Sequence, residues 1–273
     1  CLRAVLWTFG VLLRSLAPLS VRMHSSGADR SCALADTVAV ITGSTEGISF
    51  AITQHLAQDG AHVVVSSRKQ QNLDQAVAVL QGEGLRLSVM GTVCHVGKAE
   101  DCVWLVATAL EHRRGVSFLV CVAGVNPVVG STFGRSEQIW DKVRSGEASA
   151  PALLLSQLQP HKENRENSIE TLLSIYVIYF PFFSQKLEAY NVKNSQVNCL
   201  VPGVTDTDFR QVQGIITLSP ISSFHTVGWP EDCAGLASFL CSPDASYITS
   251  KNIMWLATTT TSEGHKPRVR LAS

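Results

Sequence analysis

Residues 38–49 read VAVITGSTEGIS, and this stretch decides the fold. The apolar run 38–41 is typical of a buried strand, and from Ile48 onward apolar residues repeat at helical spacing until Gly60. Two glycines lie in the turn between strand and helix. Such a junction presents backbone N–H groups and the positive end of a helix dipole, which suit a pyrophosphate. The residues that we expect to line this phosphate site are Gly43, Ser44, Gly47 and Ile48.

Strand and helix patterns alternate along the following part of the chain. Strands are predicted at 61–66, 87–93, 118–123 and 196–201, and helices at 70–80 and 98–114. The strands are largely apolar and are separated by helices, which is typical of parallel strands buried under helices on both faces. The predicted fold class is therefore α/β, a doubly wound parallel sheet of the Rossmann type in a single domain.

Composition limits the classes of partner. The 273 residues are 45% apolar and 16% charged, which suits a globular domain, and the formal net charge is zero. We expect no nucleic-acid partner, because the chain has no overall basic field. The eight cysteines are scattered without a Cys-x-x-Cys pair, so we expect reduced core cysteines with neither a disulfide framework nor a metal site.

The first thirty residues have the composition of a targeting segment. Residues 2–27 contain three arginines and several serines and leucines, and no acidic residue precedes Asp29. We interpret residues 1–30 as a mitochondrial presequence, with a nuclear or cytosolic protein as the outcome if it does not function. A secretory signal is the alternative, although Arg14 ends its apolar stretch 4–13. No uninterrupted apolar run reaches the roughly 20 residues of a membrane span.

The predicted divisions are a presequence at 1–30, a dinucleotide-binding domain at 31–256 and a flexible tail at 257–273.

The turn after the second predicted strand carries two cations and no acidic residue. It reads Ser66-Ser67-Arg68-Lys69. In a doubly wound sheet the ligand binds at the carboxyl ends of the strands, and an acidic residue at this turn would accept from the ribose 2′-hydroxyl of NAD. We therefore expect Ser67, Arg68 and Lys69 to bind the 2′-phosphate of NADP. A solvated pair of surface charges is the alternative interpretation.

Several segments carry a resemblance to a known family. They are SSRKQQ at 66–71, LQGEG at 80–84, CHVGKAED at 94–101, AGVNP at 123–127 and PEDCAG at 230–235. Over about residues 34–255 the chain resembles the short-chain dehydrogenase/reductase superfamily, as a diverged or internally shortened member. Within it, the segments are similar to a mammalian branch that includes a peroxisomal NADPH-dependent retinal and dicarbonyl reductase. The resemblance implies hydride transfer between NADP(H) and a small carbonyl or alcohol substrate.

The resemblance also implies a set of proton-transfer residues. The family uses a tyrosine as proton donor, a lysine four residues later that lowers the tyrosine's pKa, and a serine that holds the substrate oxygen. Tyr190 matches the tyrosine and Ser174 is the candidate serine, but position 194 is Asn194. Lys193 comes one residue early, which on a helix rotates the side chain by about 100°. Because only residues 191–195 separate Tyr190 from the next predicted strand, we expect the family's helix there to be missing. Its loss would put the family's oligomer interface in doubt.

On the cofactor side, the family pattern is mostly present. The further cofactor contacts that the resemblance implies are Gly124, Pro202, Gly203 and Thr207. Three positions depart from the pattern. Ser49 replaces the third glycine of the turn and crowds the helix against the strand, and Val122 replaces an asparagine that braces the central strands. Glu147 replaces the asparagine of the proton relay, and a carboxylate cannot donate as an amide does.

Two hypotheses about function follow from these matches and departures. The first is an NADP(H)-dependent oxidoreductase that reduces dicarbonyl or retinal-like substrates with impaired activity, because Tyr190 lacks its cation. The second is a non-catalytic pseudoenzyme that binds a dinucleotide or a protein partner. Turnover of a carbonyl substrate separates the two.

Overall fold

The strands of the described chain form one seven-stranded sheet in which every pairing is parallel. The structure is a computed structural model. It describes residues 33–85, 88–113, 115–124, 136–163, 171–175, 195–203, 205–207 and 228–255. These residues belong to one unit that runs from Ser31 to Ser273.

From Val38 to Cys121 strands and helices alternate along the chain as the sequence predicts. The strands are β1 (Val38–Thr42), β2 (His62–Ser67), β3 (Val89–Val93), β4 (Phe118–Cys121), β5 (Thr171–Ile175), β6 (Gln196–Pro202) and β7 (Lys251–Trp255). The helices are α1 (Gly47–Gln58), α2 (Gln70–Gly82), α3 (Ala99–Arg113), α4 (Glu137–Arg144), α5 (Ala150–Glu163) and α6 (Pro230–Cys241). A π-helical turn, Ser145–Ser149, joins α4 to α5, and a 3₁₀ turn, Pro243–Ala245, follows α6. The spatial order of the strands is β3-β2-β1-β4-β5-β6-β7.

The buried apolar residues form two clusters, one on each face of the sheet. Ala39 and Ile41 of β1 belong to a cluster with residues of α1, α2 and α6. Val38 and Val40 of the same strand belong to a second cluster with residues of α3 and α5. Alternate strand residues point to opposite faces, so helices cover the sheet on both sides. The predicted doubly wound α/β fold is confirmed.

The carboxyl ends of β4 and β2 differ from the sequence prediction. β4 stops at Cys121 rather than at residue 123. The N–H groups of Val122 and Ala123 turn out of the ladder and donate to Thr42 Oγ1, at 3.0 and 3.1 Å. β2 runs on to Ser67, which was assigned to the turn, because Ser66 and Ser67 still pair with β3. Arg68 is therefore the first residue of that turn.

Candidate functional site

The carboxyl ends of β1 and β4 mark the point where the strand order reverses. β1 pairs with β2 on one side and with β4 on the other, so the chain crosses the sheet between β3 and β4. A doubly wound sheet opens a crevice for ligands at such a point. The glycine turn that the sequence analysis selected follows β1 directly, and it therefore lies at this crevice.

Both turn glycines are required by the backbone and by their neighbours. Gly43 has φ +61° and Gly47 has φ +58°, a region that side chains make costly. A Cβ on Gly43 would lie 3.2 Å from the Cα of Ala123, and one on Gly47 would lie 3.1 Å from Cγ2 of Thr207. The glycine turn, the exit of β4 and the loop after β6 therefore converge at the crevice, and the contact of Thr207 with a cofactor remains a prediction.

Ser44 braces the turn against β2. Its backbone N–H donates to the carbonyl of Ser66 at 2.9 Å, and its hydroxyl accepts from the N–H of Ser66 at 2.9 Å. Its hydroxyl also lies 2.9 Å from the carbonyl of Ile41, and the side chain is completely buried. Ile48 is buried in the core as well. The side chains of Ser44 and Ile48 thus hold the loop in shape, and their contact with a cofactor remains a prediction.

Ser49 fits where the family pattern has its third glycine. Its hydroxyl lies 2.6 Å from the carbonyl of Gly43 and 2.8 Å from that of Glu46, so it donates back into the turn. The side chain is buried. The crowding expected at this position is therefore accompanied by a hydrogen bond that a glycine could not make.

The start of α1 is suited to an anion. Glu46 precedes the helix in an extended conformation, gives it no side-chain cap, and no acidic residue lies in the first turn. The first N–H groups of a helix have no partner within it, and they favour negative charge. The Glu46 carboxylate is held instead by Asn72 of α2, whose Nδ2 donates to Glu46 Oε1 at 2.6 Å.

The end of β2 presents the two predicted cations to solvent. Ser67 is buried, and its Oγ lies 3.4 Å from Thr45 Oγ1 and 3.4 Å from the N–H of Lys69. Arg68 and Lys69 are exposed, and neither forms an ion pair with another described residue. Both charges are therefore available to a phosphate beside the glycine turn.

Thr42 has a role that the sequence analysis missed. Its hydroxyl accepts both backbone N–H groups that follow β4, and it is buried. It thus joins the two strands at the crevice, near the position where Val122 replaces the family's asparagine. A polar residue that ends a buried apolar strand was the available signal.

The proton-transfer residues are only partly described. Ser174 lies in β5, in register with Cys121 of β4 and Cys199 of β6, near the carboxyl end of the sheet. Tyr190, Lys193 and Asn194 lie outside the described residues. Glu147 falls in the π-helical turn, and a Cβ on the neighbouring Gly146 would lie 3.9 Å from the carbonyl of Ala123. The π turn therefore approaches the exit of β4.

The remaining predicted cofactor residues lie at the same edge. Gly124 follows β4 and Pro202 ends β6. The carbonyl of Gly203 accepts from Thr205 Oγ1 at 3.1 Å, and Thr205 forms a parallel bridge with Gly228. The loop that carries Thr207 is thereby tied to the chain that leads into α6.

The cysteines of the described part are buried thiols. Burial raises the pKa of the Cys121 thiol to about 12. A hydrogen bond between Cys94 and Cys102 raises the pKa of Cys94 and lowers that of Cys102. Across the described ranges, no three His, Cys, Asp or Glu side chains come together as metal ligands would, and no helix is long and apolar enough to cross a bilayer.

Known proteins resemble this chain in sequence and in fold. A model of the family short chain dehydrogenase matches residues 37–174. Human dehydrogenase/reductase SDR family member 2, mitochondrial, is 55% identical over 260 residues, covering 87% of this chain and 91% of that protein. Human dehydrogenase/reductase SDR family member 4 is 47% identical over 258 residues, covering 86% and 91%. Among solved structures, Escherichia coli hydroxysteroid dehydrogenase superposes with a TM-score of 0.69 at 24% identity, over 82% of this chain and 96% of that one.

Proposed function

Because the chain belongs to the short-chain dehydrogenase/reductase family, we propose that it binds NADP(H) and reduces small carbonyl compounds slowly. The family consists of oxidoreductases that use a nicotinamide dinucleotide. The preference for the phosphorylated cofactor, the carbonyl substrate and the low rate are our proposals. One observation carries the cofactor preference: a braced glycine turn at the reversal point of the sheet, beside two cations that pair with no described residue.

Residues at that crevice fit a dinucleotide. Gly43 and Gly47 leave room that any Cβ would fill, and the uncapped start of α1 offers N–H groups to the pyrophosphate. Arg68 and Lys69 would hold the 2′-phosphate, next to the buried Ser67. No acidic residue stands at the end of β2 to select the ribose hydroxyl of NAD.

On the reaction side, the bound nicotinamide supplies or accepts the hydride. Tyr190 would donate the proton to the substrate oxygen, and Ser174 would hold that oxygen, as the family resemblance implies. Position 194 has an amide rather than an ammonium group. The family's cation lowers the tyrosine's pKa, so replacing it leaves proton donation poorly matched to neutral pH. Low turnover is the expected consequence of losing this cation.

A non-catalytic dinucleotide-binding protein is the second candidate function. Asn194 in place of the lysine and Glu147 in place of the relay asparagine favour it. In this case the chain keeps the NADP(H) site and has no measurable turnover.

Cofactor titration and a turnover assay test the proposal. NADPH is titrated into the purified chain while cofactor fluorescence is followed, and a vicinal dicarbonyl is then assayed with wild type and Tyr190→Phe. Turnover that disappears in Tyr190→Phe supports the reductase. Binding without turnover favours the second candidate, and the absence of binding contradicts both.

We also propose a mitochondrial location, directed by residues 1–30. The arginine-rich, acid-poor composition supports it, and the printed name of one relative includes that compartment. A fluorescent protein fused after the full chain should co-localise with mitochondria. Deleting residues 1–30 should disperse it, and unchanged localisation after the deletion would contradict the proposal.

A further inference from the structure

Glu46 places a negative charge close to the proposed phosphate site. It directly precedes Gly47 in the glycine turn and its side chain is exposed. The adjacent Thr45 contacts Ser67, whose neighbour in sequence is Arg68, with 3.4 Å between the two hydroxyl oxygens. Glu46 and Arg68 are thus each one residue from the same contact between the two loops. If no other group held the Glu46 carboxylate, it could form an ion pair with Arg68 or Lys69.

In the structure the carboxylate has a different partner. Asn72 in the first turn of α2 donates from Nδ2 to Glu46 Oε1 at 2.6 Å, across a separation of 26 residues. Neither Arg68 nor Lys69 is paired with Glu46 or with another described carboxylate. A neutral amide therefore binds the acid, and both cations keep their full charge for an anion.

We propose that Asn72 and Glu46 together set the preference for the 2′-phosphate of the cofactor, an inference that rests on the proposed NADP(H) site. Asn72 acts as a positioning residue, because it restrains the Glu46 carboxylate and so leaves Arg68 and Lys69 unpaired. Glu46 opposes a 2′-phosphate by charge repulsion. NADPH and NADH differ only in that phosphate, so the effect of both residues belongs to NADPH alone.

A double-mutant cycle on the full chain tests the inference. Dissociation constants for NADPH, NADH and adenosine 2′,5′-bisphosphate are measured for wild type, Asn72→Ala, Glu46→Gln and the double variant. Asn72→Ala should weaken both 2′-phosphorylated ligands about two- to fivefold, the size expected of an exposed ion pair, and leave NADH unchanged. Glu46→Gln should strengthen them by a similar factor. In the Glu46→Gln background, Asn72→Ala should have no further effect.

Gln70→Ala is the matched control. It removes an amide from the same helix start, where Gln70 Nε2 donates to Asp74 Oδ1 at 2.7 Å and does not reach the glycine turn. Its dissociation constants should equal those of wild type. If wild type binds NADPH but Asn72→Ala changes nothing, weakens NADH equally, or has the same effect without Glu46, the inference is overturned and the proposed function stands. Wild type that binds none of the three ligands would overturn both.

Discussion

At the scale of single residues, Gly47 is the position of the site that tolerates a side chain least. Its positive φ and the 3.1 Å approach of Thr207 both oppose a side chain. Gly47→Ala should lower the free energy of unfolding by about 1–2 kcal/mol, the cost of a left-handed conformation, and should weaken NADPH binding more than tenfold. Urea denaturation and fluorescence titration measure the two effects.

Gly235→Ala is the control for Gly47→Ala. Gly235 lies inside α6, where an added Cβ would meet nothing within 4 Å. Alanine in a helix interior should raise the free energy of unfolding by about 0.5–1 kcal/mol and leave NADPH binding unchanged. Equal losses of NADPH affinity in the two variants would contradict the assignment of Gly47 to the site.

The buried thiol of Cys241 predicts a loss of stability in alkali. Burial raises its pKa from 9.0 to about 12 in the folded chain. The contribution of the buried thiol to the free energy of unfolding is complete below pH 9. It is lost as the pH rises toward 12, because in that window the thiol ionises only in the unfolded chain. The stability of wild type relative to Cys241→Ala should therefore fall by about 1.4 kcal/mol between pH 8 and pH 10. Urea denaturation of both proteins at each pH measures it, and a constant difference would refute the prediction.

At the scale of elements, Thr42 joins β1 to the exit of β4. Its hydroxyl accepts from the N–H groups of Val122 and Ala123 while the side chain is buried. Thr42→Val keeps the shape but leaves both donors without this acceptor, so the free energy of unfolding should fall by about 1–3 kcal/mol. Thr42→Ser keeps the hydroxyl and should lose less. Urea denaturation compares them, and a larger loss for Thr42→Ser would show that the methyl group matters more.

The elements that sequence predicts best are those with continuous apolar patterns. β1, β2 and α1 were predicted within a residue or two, because a buried strand and a core-facing helix must repeat their apolar residues at fixed spacing. The hydrogen bonds of Thr42, Ser44 and Ser49 could not be predicted, since their partners become neighbours only after the sheet forms. In our proposal, whether Arg68 and Lys69 stay unpaired likewise depends on the hydrogen bond from Asn72 to the Glu46 carboxylate, which joins residues far apart in sequence. The prediction for Tyr190 lies outside the described residues and stays a prediction.

At the scale of the whole molecule, the two halves of the site differ in how the fold supports them. The proposed phosphate-binding half lies at the reversal point of the sheet, where β1, β2 and α1 fix the turn through hydrogen bonds of buried serines. The proposed proton-transfer half would depend on Ser174 near the end of β5 and on Tyr190, with Asn194 where the family has its lysine. Binding and turnover are therefore expected to separate, and a measurement of binding alone can test the half that the structure describes.

Stabilisation by the cofactor is the corresponding prediction for the whole chain. A ligand that binds only the folded state at 100 times its dissociation constant adds about 2.7 kcal/mol, which for a chain of this size raises Tm by about 5–10 °C. NADPH should produce this shift in a thermal unfolding experiment, and NADH at the same concentration should produce a smaller one. Gly235→Ala should respond as wild type does, whereas Gly47→Ala should lose most of the shift because its turn no longer accepts the pyrophosphate. If millimolar NADPH left the Tm unchanged, the braced turn would not bind the dinucleotide.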